Sequence, residues 1–518
     1  MAEPGKLLVL GLQLGDGALI RRWAGAGRLP TFARLIAEGA SGELSTTADD
    51  LHVSPLPSIY TGAPPGEHGV YFTFQPATGV QGWQRFAEGL YGRPTFWKLL
   101  SDAGLRCSVL DTPYAHPEPG FTGALALDWG TWAQYLGPTG NAVDELTRAV
   151  GRYPLGLEAH DIGFMALDGK DMAGRLVKAL DARVEATRWL MRSRRWDVLV
   201  TVLDETHAAA HYCWRPPADG SQEAPDEQPE LLAVYEALDR AIARIIEATG
   251  PRVSVLVVSG DAIGPNRAGW HLLPQVLARL GMLVSSDVPA GPAGVDKPKP
   301  AKGFDPVKIV RDLLPKDFRK SLARMLPTAL RDKLAKRVDS AAMDWSRTRA
   351  SCLLTDLEGC IRVNLKGREP LGTVEPGAGY EAVLSEIETA LAELVNPATG
   401  RPAVTRILRA DTAFPGVRRD RLPDLVVHWS REAPITALSS PRIGLVEGAS
   451  PDPRPGTHAG PGFAILAAPG MVAGPLPRGA SILDVAPTVL RHFAIPLPSH
   501  MSGVPWQGPR ATGETSAS

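Results

Sequence analysis

The stretch KLLVLGLQLGDG, residues 6–17, decides the fold class. Leu and Val fill almost every position from Leu7 to Leu12, without the alternation of a half-exposed strand. Such a run reads as a strand covered on both faces. It breaks at a Gly/Asp turn and gives way to a helical pattern. The same grammar recurs along the chain. CSVLDT (107–112), DVLVTVL (197–203), VSVLVVS (253–259), DLVVHW (424–429) and FAILAAP (463–469) are short apolar runs. Between them lie helical stretches such as MAGRLVKALDARVEATRWLMRS, ELLAVYEALDRAIARIIEAT and ILDVAPTVLRHF. Strands alternating with helices predict an α/β domain with a doubly wound, mostly parallel central sheet and helices on both faces.

Composition narrows the function classes. The 518 residues carry a net charge of −1, so no global field draws the chain to a nucleic acid polymer or a membrane surface. Lys and Arg do cluster over residues 297–337, where the pattern reads as a solvated amphipathic hairpin. The four cysteines, Cys107, Cys213, Cys352 and Cys360, show no C-x-x-C spacing, which excludes a zinc ribbon and a disulfide framework. The apolar run near the start reads as a first strand rather than a signal segment, and no run approaches membrane-spanning length. A cytoplasmic protein is the expectation. Residues 1–282 and 346–506 are expected to form one catalytic domain. A basic helical insertion at 283–345 interrupts it, and a disordered tail at 507–518 ends it.

In an open parallel sheet, ligands gather beyond the carboxyl ends of the strands. Gln13 and Asp16 follow the first run. Asp204, His207 and His211 follow the third, and Gly260 and Asp261 follow the fourth. His207 and His211 stand four apart, so on a helix both rings face one side and can share a metal. His458, in a Gly/Pro loop before the last strand, is the candidate third ligand. Ser54, Ser58 and Thr61 are hydroxyls in a Gly/Pro-rich loop, and the residues alone do not choose among them.

Several blocks together resemble the type I phosphodiesterase/nucleotide pyrophosphatase family of the alkaline phosphatase superfamily. They are the opening strand and helix, PSIYTGAPPGEHGVY, DETHAAAHYCW, VVSGDAIGPN, and GTHAGPGFAILAAPGM with the later SILDVAPTVL. The resemblance implies an alkaline phosphatase-like fold and metal-dependent hydrolysis of small phosphate esters, phosphodiesters or nucleotides, through a Ser or Thr nucleophile and zinc-type ions. Carried over by position, it makes His207, His211 and His458 one metal site. The second site retains Asp261 as a strong ligand and Gln13 as a poor one, with Gly260 where the family has Asp. One ion rather than two is therefore expected, and Gln13→Asp with Gly260→Asp is expected to restore the second. A gapless alignment puts His52 at the nucleophile position. One deletion puts Ser54 there, which is the reading adopted because a hydroxyl forms the covalent ester. The Asn266 amide is a candidate donor to a phosphoryl oxygen. No C-x-P-x-R motif occurs, which argues against a sulfatase. The alternative is a binding protein that keeps the fold and has lost turnover.

Overall fold

The computed structural model describes residues 5–85, 91–130, 139–155, 169–216, 228–250, 252–285, 343–355 and 357–506. The basic stretch 297–337 and the tail 507–518 lie outside the described residues. The centre is an eight-stranded sheet. Its strands in chain order are β1 (Lys6–Leu12), β2 (Ala40–Leu44), β3 (Cys107–Leu110), β4 (Ala124–Ala126), β5 (Val198–Leu203), β6 (Val253–Ser259), β13 (Gly462–Ala467) and β14 (Gly474–Pro475). They lie side by side as β14-β2-β13-β6-β1-β5-β3-β4. The run β6-β1-β5-β3-β4 is parallel throughout.

The apolar runs are continuous because alternate residues serve two cores. Leu8, Leu10 and Leu12 of β1 face one core, beneath helices α3 (Gly169–Ser193) and α5 (Pro229–Thr249). Leu7 and Val9 face the other, beneath α2 (Pro55–Thr61) and α7 (Val485–His492). The expected α/β architecture is thus present.

Two strands depart from expectation. The run ending at Trp429 lies outside the central sheet. As β11 (Leu425–Trp429) it joins β8 (Ala350–Leu354), β9 (Gly359–Val363) and β10 (Val404–Arg409) in a four-stranded antiparallel sheet ordered β8-β9-β11-β10. The pairing of β10 with β11 is antiparallel throughout, with Ile407 opposite Val427 and Arg409 opposite Leu425. Helix α6 (Ala378–Ala392) packs on this sheet, and their shared core is distinct from the two central ones. Within the central sheet, β13 runs antiparallel to both β6 and β2. It is the return arm of a ribbon whose tip pairs β7 (Ala262–Pro265) with β12 (Gly456–Ala459). Among the described residues no helix is long and apolar enough to cross a membrane.

Candidate metal centre

The third apolar run ends at Leu203, and after Asp204 helix α4 (Glu205–Tyr212) begins at once. Its Ala208–Ala210 segment favours helix, and the four-residue spacing puts His207 and His211 on one face. Their ring centroids are 4.6 Å apart, and the two Nε2 atoms face each other at 3.2 Å. His458 arrives from β12, paired opposite Ile263 of β7. Its ring lies 5.4 Å from His207 and 5.5 Å from His211. The three ligand atoms fall within 4.8 Å of one another, and all three side chains are buried.

The surroundings fix which nitrogens point inward. His211 Nδ1 donates to the Gly456 carbonyl at 2.8 Å, which leaves the Nε2 lone pair for a ligand role. Helix and strand can come this close because residue 456 is glycine: a Cβ there would stand 2.1 Å from the Ala210 carbonyl. His458 Nδ1 donates to Asp261 Oδ2 at 2.6 Å. Asp261 Oδ1 in turn accepts from the Leu14 amide at 3.1 Å. Leu14 reaches that position with a left-handed φ of 55°, an uncommon conformation for a branched residue and one that stores strain beside the site. Burial, reinforced by the charge of Arg454, pushes the His211 pKa well below its ordinary value, so the ring is neutral as a ligand must be.

The donor set fits a zinc-type ion. Two nitrogens on one tetrahedral zinc, each about 2.0–2.1 Å from it, stand roughly 3.3 Å apart. The His207–His211 spacing of 3.2 Å matches this. Ring nitrogens locked by a carbonyl and a carboxylate are the outer partners that metal-binding histidines require.

The other expected residues are placed as follows. Asp261, expected as a ligand, lies behind His458 and orients it. Among the described residues it is not part of the three-ligand group. Gln13 is buried at the end of β1. Its carbonyl accepts from Thr206 Oγ1 at 2.6 Å, and its Oε1 has no hydrogen-bond partner among the described residues. Ser54 is fully buried. Its hydroxyl donates to the Leu51 carbonyl at 2.7 Å and lies 2.6 Å from Thr47 Oγ1. The residue of this loop that reaches the cluster is His52, whose ring is 4.8 Å from that of His458. Ser58 is 3.0 Å from His68 Nε2 in the interior. The Asn266 amide donates to Asp452 at 2.9 Å and to the Arg454 carbonyl at 3.0 Å, bracing the loop that leads to His458. Asp16 caps helix α1 (Gly17–Gly25) through the Leu19 amide at 2.9 Å.

Gly260 corrects one expectation. A Cβ at this position would stand 2.5 Å from Pro55 Cβ, closer than real contacts allow. Gly260→Asp therefore cannot rebuild a second metal site. It should force β6 and α2 apart, destabilising the fold by about 1–3 kcal/mol, the usual cost of overpacking. Urea unfolding of the variant checks this.

One functional candidate escaped the sequence. Glu358, in the turn between β8 and β9, places Oε2 2.8 Å from His52 Nδ1. It also lines a cavity of about 670 Å³, together with Arg21, Arg22, Arg431, Asp16 and Asp49. The cavity lies beside the three histidines rather than over them: its wall includes Ala459, the neighbour of His458 in β12.

Comparison with known proteins bears on the family and the fold. Residues 8–277 match the family model for type I phosphodiesterase / nucleotide pyrophosphatase. No curated protein matches the chain. Among solved structures, phosphonoacetate hydrolase from Sinorhizobium meliloti 1021 in complex with phosphonoformate has a TM-score of 0.52 and 14% identity, covering 95% of this chain and 96% of that one. Murine ectonucleotide pyrophosphatase / phosphodiesterase 5 in complex with AMP has a TM-score of 0.49 and 10% identity, covering 98% and 97%. Wild-type alkaline phosphatase PafA has a TM-score of 0.49 and 14% identity, covering 98% and 99%. At such identities the likeness is one of fold.

Proposed function

The chain belongs to the type I phosphodiesterase / nucleotide pyrophosphatase family, and from that premise we propose that it hydrolyses small phosphate esters with the help of one zinc-type ion. The observation that carries this reading is the convergence of His207, His211 and His458, with two ring nitrogens already at zinc-sharing distance. An ion held there supplies Lewis-acid polarisation of a phosphoryl oxygen. The chain's own groups do the rest. Asp261 and the Gly456 carbonyl hold the outer nitrogens of His458 and His211, and so fix the orientation of both rings. Arg431 donates to the His458 carbonyl at 2.9 Å and brings a positive charge to the cavity wall, where an anionic substrate would enter. A cytoplasmic setting is supported by the four cysteines, all free.

Purified protein supplied with zinc should turn over an aryl phosphate monoester or diester, and chelator should lower kcat/KM at least about a hundredfold, since Lewis-acid stabilisation is worth several kcal/mol. Steady-state assays with and without chelator decide. Metal binding without turnover on either ester would favour the second reading, a binding protein. That reading draws on the absence of carboxylates at Gln13 and Gly260, and on the packing that closes position 260 to them.

A further inference from the structure

The strap that delivers His458 inverts the usual rule of burial. In SPDPRPGTH, residues 450–458, Pro451 and Pro453 are exposed, whereas Asp452 and Arg454 are buried. Proline fixes its own φ and holds the residue before it extended, so alternate positions keep to one side. Asp452, Arg454, Gly456 and His458 share that two-residue period, and all four are buried. The strap thus turns two charges inward and, a few residues further on, a candidate metal ligand.

The two charges are matched on the spot. The Arg454 guanidinium donates to Asp452 through Nε at 2.8 Å and through Nη2 at 2.7 Å, and the Arg454 backbone amide donates to Asp452 Oδ1 at 3.1 Å. Their side chains are 4% and 0% exposed. Asn266, the residue after β7, ties this pair to the ribbon. Its Nδ2 donates to Asp452 Oδ2 at 2.9 Å and to the Arg454 carbonyl at 3.0 Å. Its backbone amide donates to the Pro455 carbonyl at 3.0 Å. The ribbon ends here with Gly456 opposite Pro265. Pro265 and Pro455 bring no N–H to the ladder, so Asn266 supplies donors where the ladder runs short of them. Beyond this point the Gly456 carbonyl accepts from His211 Nδ1 at 2.8 Å, and His458 follows two residues later.

We infer that Asn266 is a positioning residue of the metal centre, acting through residues 450–456 on His211 and His458 together. The inference rests on the zinc site proposed above. Asn266 itself touches neither ring. It fixes the strap, the strap fixes the Gly456 carbonyl and the start of β12, and these fix two ligands that come from different elements. The strap is then ordered before the ion arrives, so metal binding does not carry the cost of ordering it. Outer partners of this kind set metal affinity without contributing a ligand atom.

The test uses the full-length chain, stripped of metal and titrated with zinc against a chromogenic chelator. Asn266→Ala removes both side-chain bonds and should weaken zinc about tenfold or more. Asn266→Asp keeps the shape but sets an acceptor against the Asp452 carboxylate and the Arg454 carbonyl, so it should weaken zinc further still. Asn266→Ser, which keeps one donor, should fall between wild type and Asn266→Ala. Cobalt in place of zinc reports the ligand geometry, and its visible bands should shift in the first two variants. Asn141→Ala is the control. Asn141 braces β4 at the far edge of the sheet, accepting from the Leu125 amide at 2.8 Å and donating to the Gly123 carbonyl at 2.9 Å. Its loss should lower stability and leave zinc affinity and the cobalt bands unchanged. Wild-type affinity and wild-type bands in folded Asn266→Ala and Asn266→Asp overturn the inference, because Asn266 then only stabilises its loop. An equal loss of zinc affinity in Asn141→Ala also overturns it, because the effect is then global. Wild type that holds no zinc overturns the metal centre and this inference together. None of these readouts depends on turnover, so failure of the hydrolase reading shows separately in the ester assays.

Discussion

Protein loaded with excess zinc and then desalted is expected to keep about one ion per chain, and His211→Ala is expected to keep almost none. The first expectation follows from charge. Two divalent ions about 4 Å apart, the usual two-metal spacing, repel by roughly 16 kcal/mol at an effective dielectric near 20. Anionic ligands must offset that. At this site the three converging groups are neutral imidazoles. Asp261 is tied to His458 and the Leu14 amide, and Asp16 to the cap of α1. Gln13 brings no charge, and Gly260 has no room for any. The second expectation follows from geometry. His211 supplies one of the two nitrogens already at shared-ion distance, and it alone is locked by the Gly456 carbonyl. Removing it deletes a ligand and its preorganisation together. Asp261→Asn, which deletes only an outer partner, should weaken zinc about 10–100-fold, and His211→Ala by more than that. Elemental analysis of the desalted protein gives the ratio, and competition with a chromogenic chelator gives the order of affinities. A ratio near two, or an Asp261→Asn variant weaker than His211→Ala, would contradict the account.

How much of this was legible beforehand differs from residue to residue, for physical reasons. The parallel strands were plain because each is buried on both faces and reads as an unbroken apolar run. Leu7 to Leu12 feed two cores at once. The antiparallel unit was not, since β10 and β11 are separated by residues 410–424, a length that also suits a crossover, so connection length does not reveal the pairing. Thus β11 was read as one more strand of the same set. His207 and His211 could be found because a helix converts a spacing of four into contact. His458 needed the resemblance, as nothing local marks a loop histidine. The role of Asp261 depends on the β7–β12 register, which sets His458 opposite Ile263 and so beside this carboxylate. Glu358 lies 306 residues from His52, and no local pattern could join them. Ser54 and His52 were alternatives for the nucleophile position, and no local pattern tells how each side chain packs. The fold turns the hydroxyl inward to Leu51 and the imidazole toward the cluster.

Arg183→Met is expected to destabilise the fold by about 3–5 kcal/mol, the range for breaking a buried ion pair on one side. Arg183 projects from α3 with no exposed surface. Its guanidinium pairs with Asp111, donates through Nε to Glu205 Oε1 at 3.2 Å, and donates through Nη2 to the Gly130 carbonyl at 3.1 Å. Tyr153 closes the network, donating to Glu205 Oε1 at 2.5 Å and lying under the guanidinium at 5.0 Å. Burial opposes the charge on Arg183, but Glu205 and Asp111 outweigh it and hold the group above its usual pKa. Asp111 gains further support from the Trp129 and Gly130 amides, each at 2.7 Å, and adopts a left-handed φ of 46° that this network sustains. With methionine in place, two carboxylates would remain buried without their cation. Lysine would restore a charge but not the fork that reaches Asp111, Glu205 and Gly130 together, so Arg183→Lys should recover only part of the loss. The consequence reaches the metal. Glu205 opens α4 two residues before His207, and the network is what fixes the first turn of that helix against the sheet. Zinc affinity should therefore fall along with stability, although Arg183 touches none of the ligands. Urea denaturation of the metal-free protein measures the first effect, and chelator competition on folded protein the second. A loss below about 1 kcal/mol would mean that the carboxylates find water or protons when the cation is removed, and that the network is not what holds α4 in place.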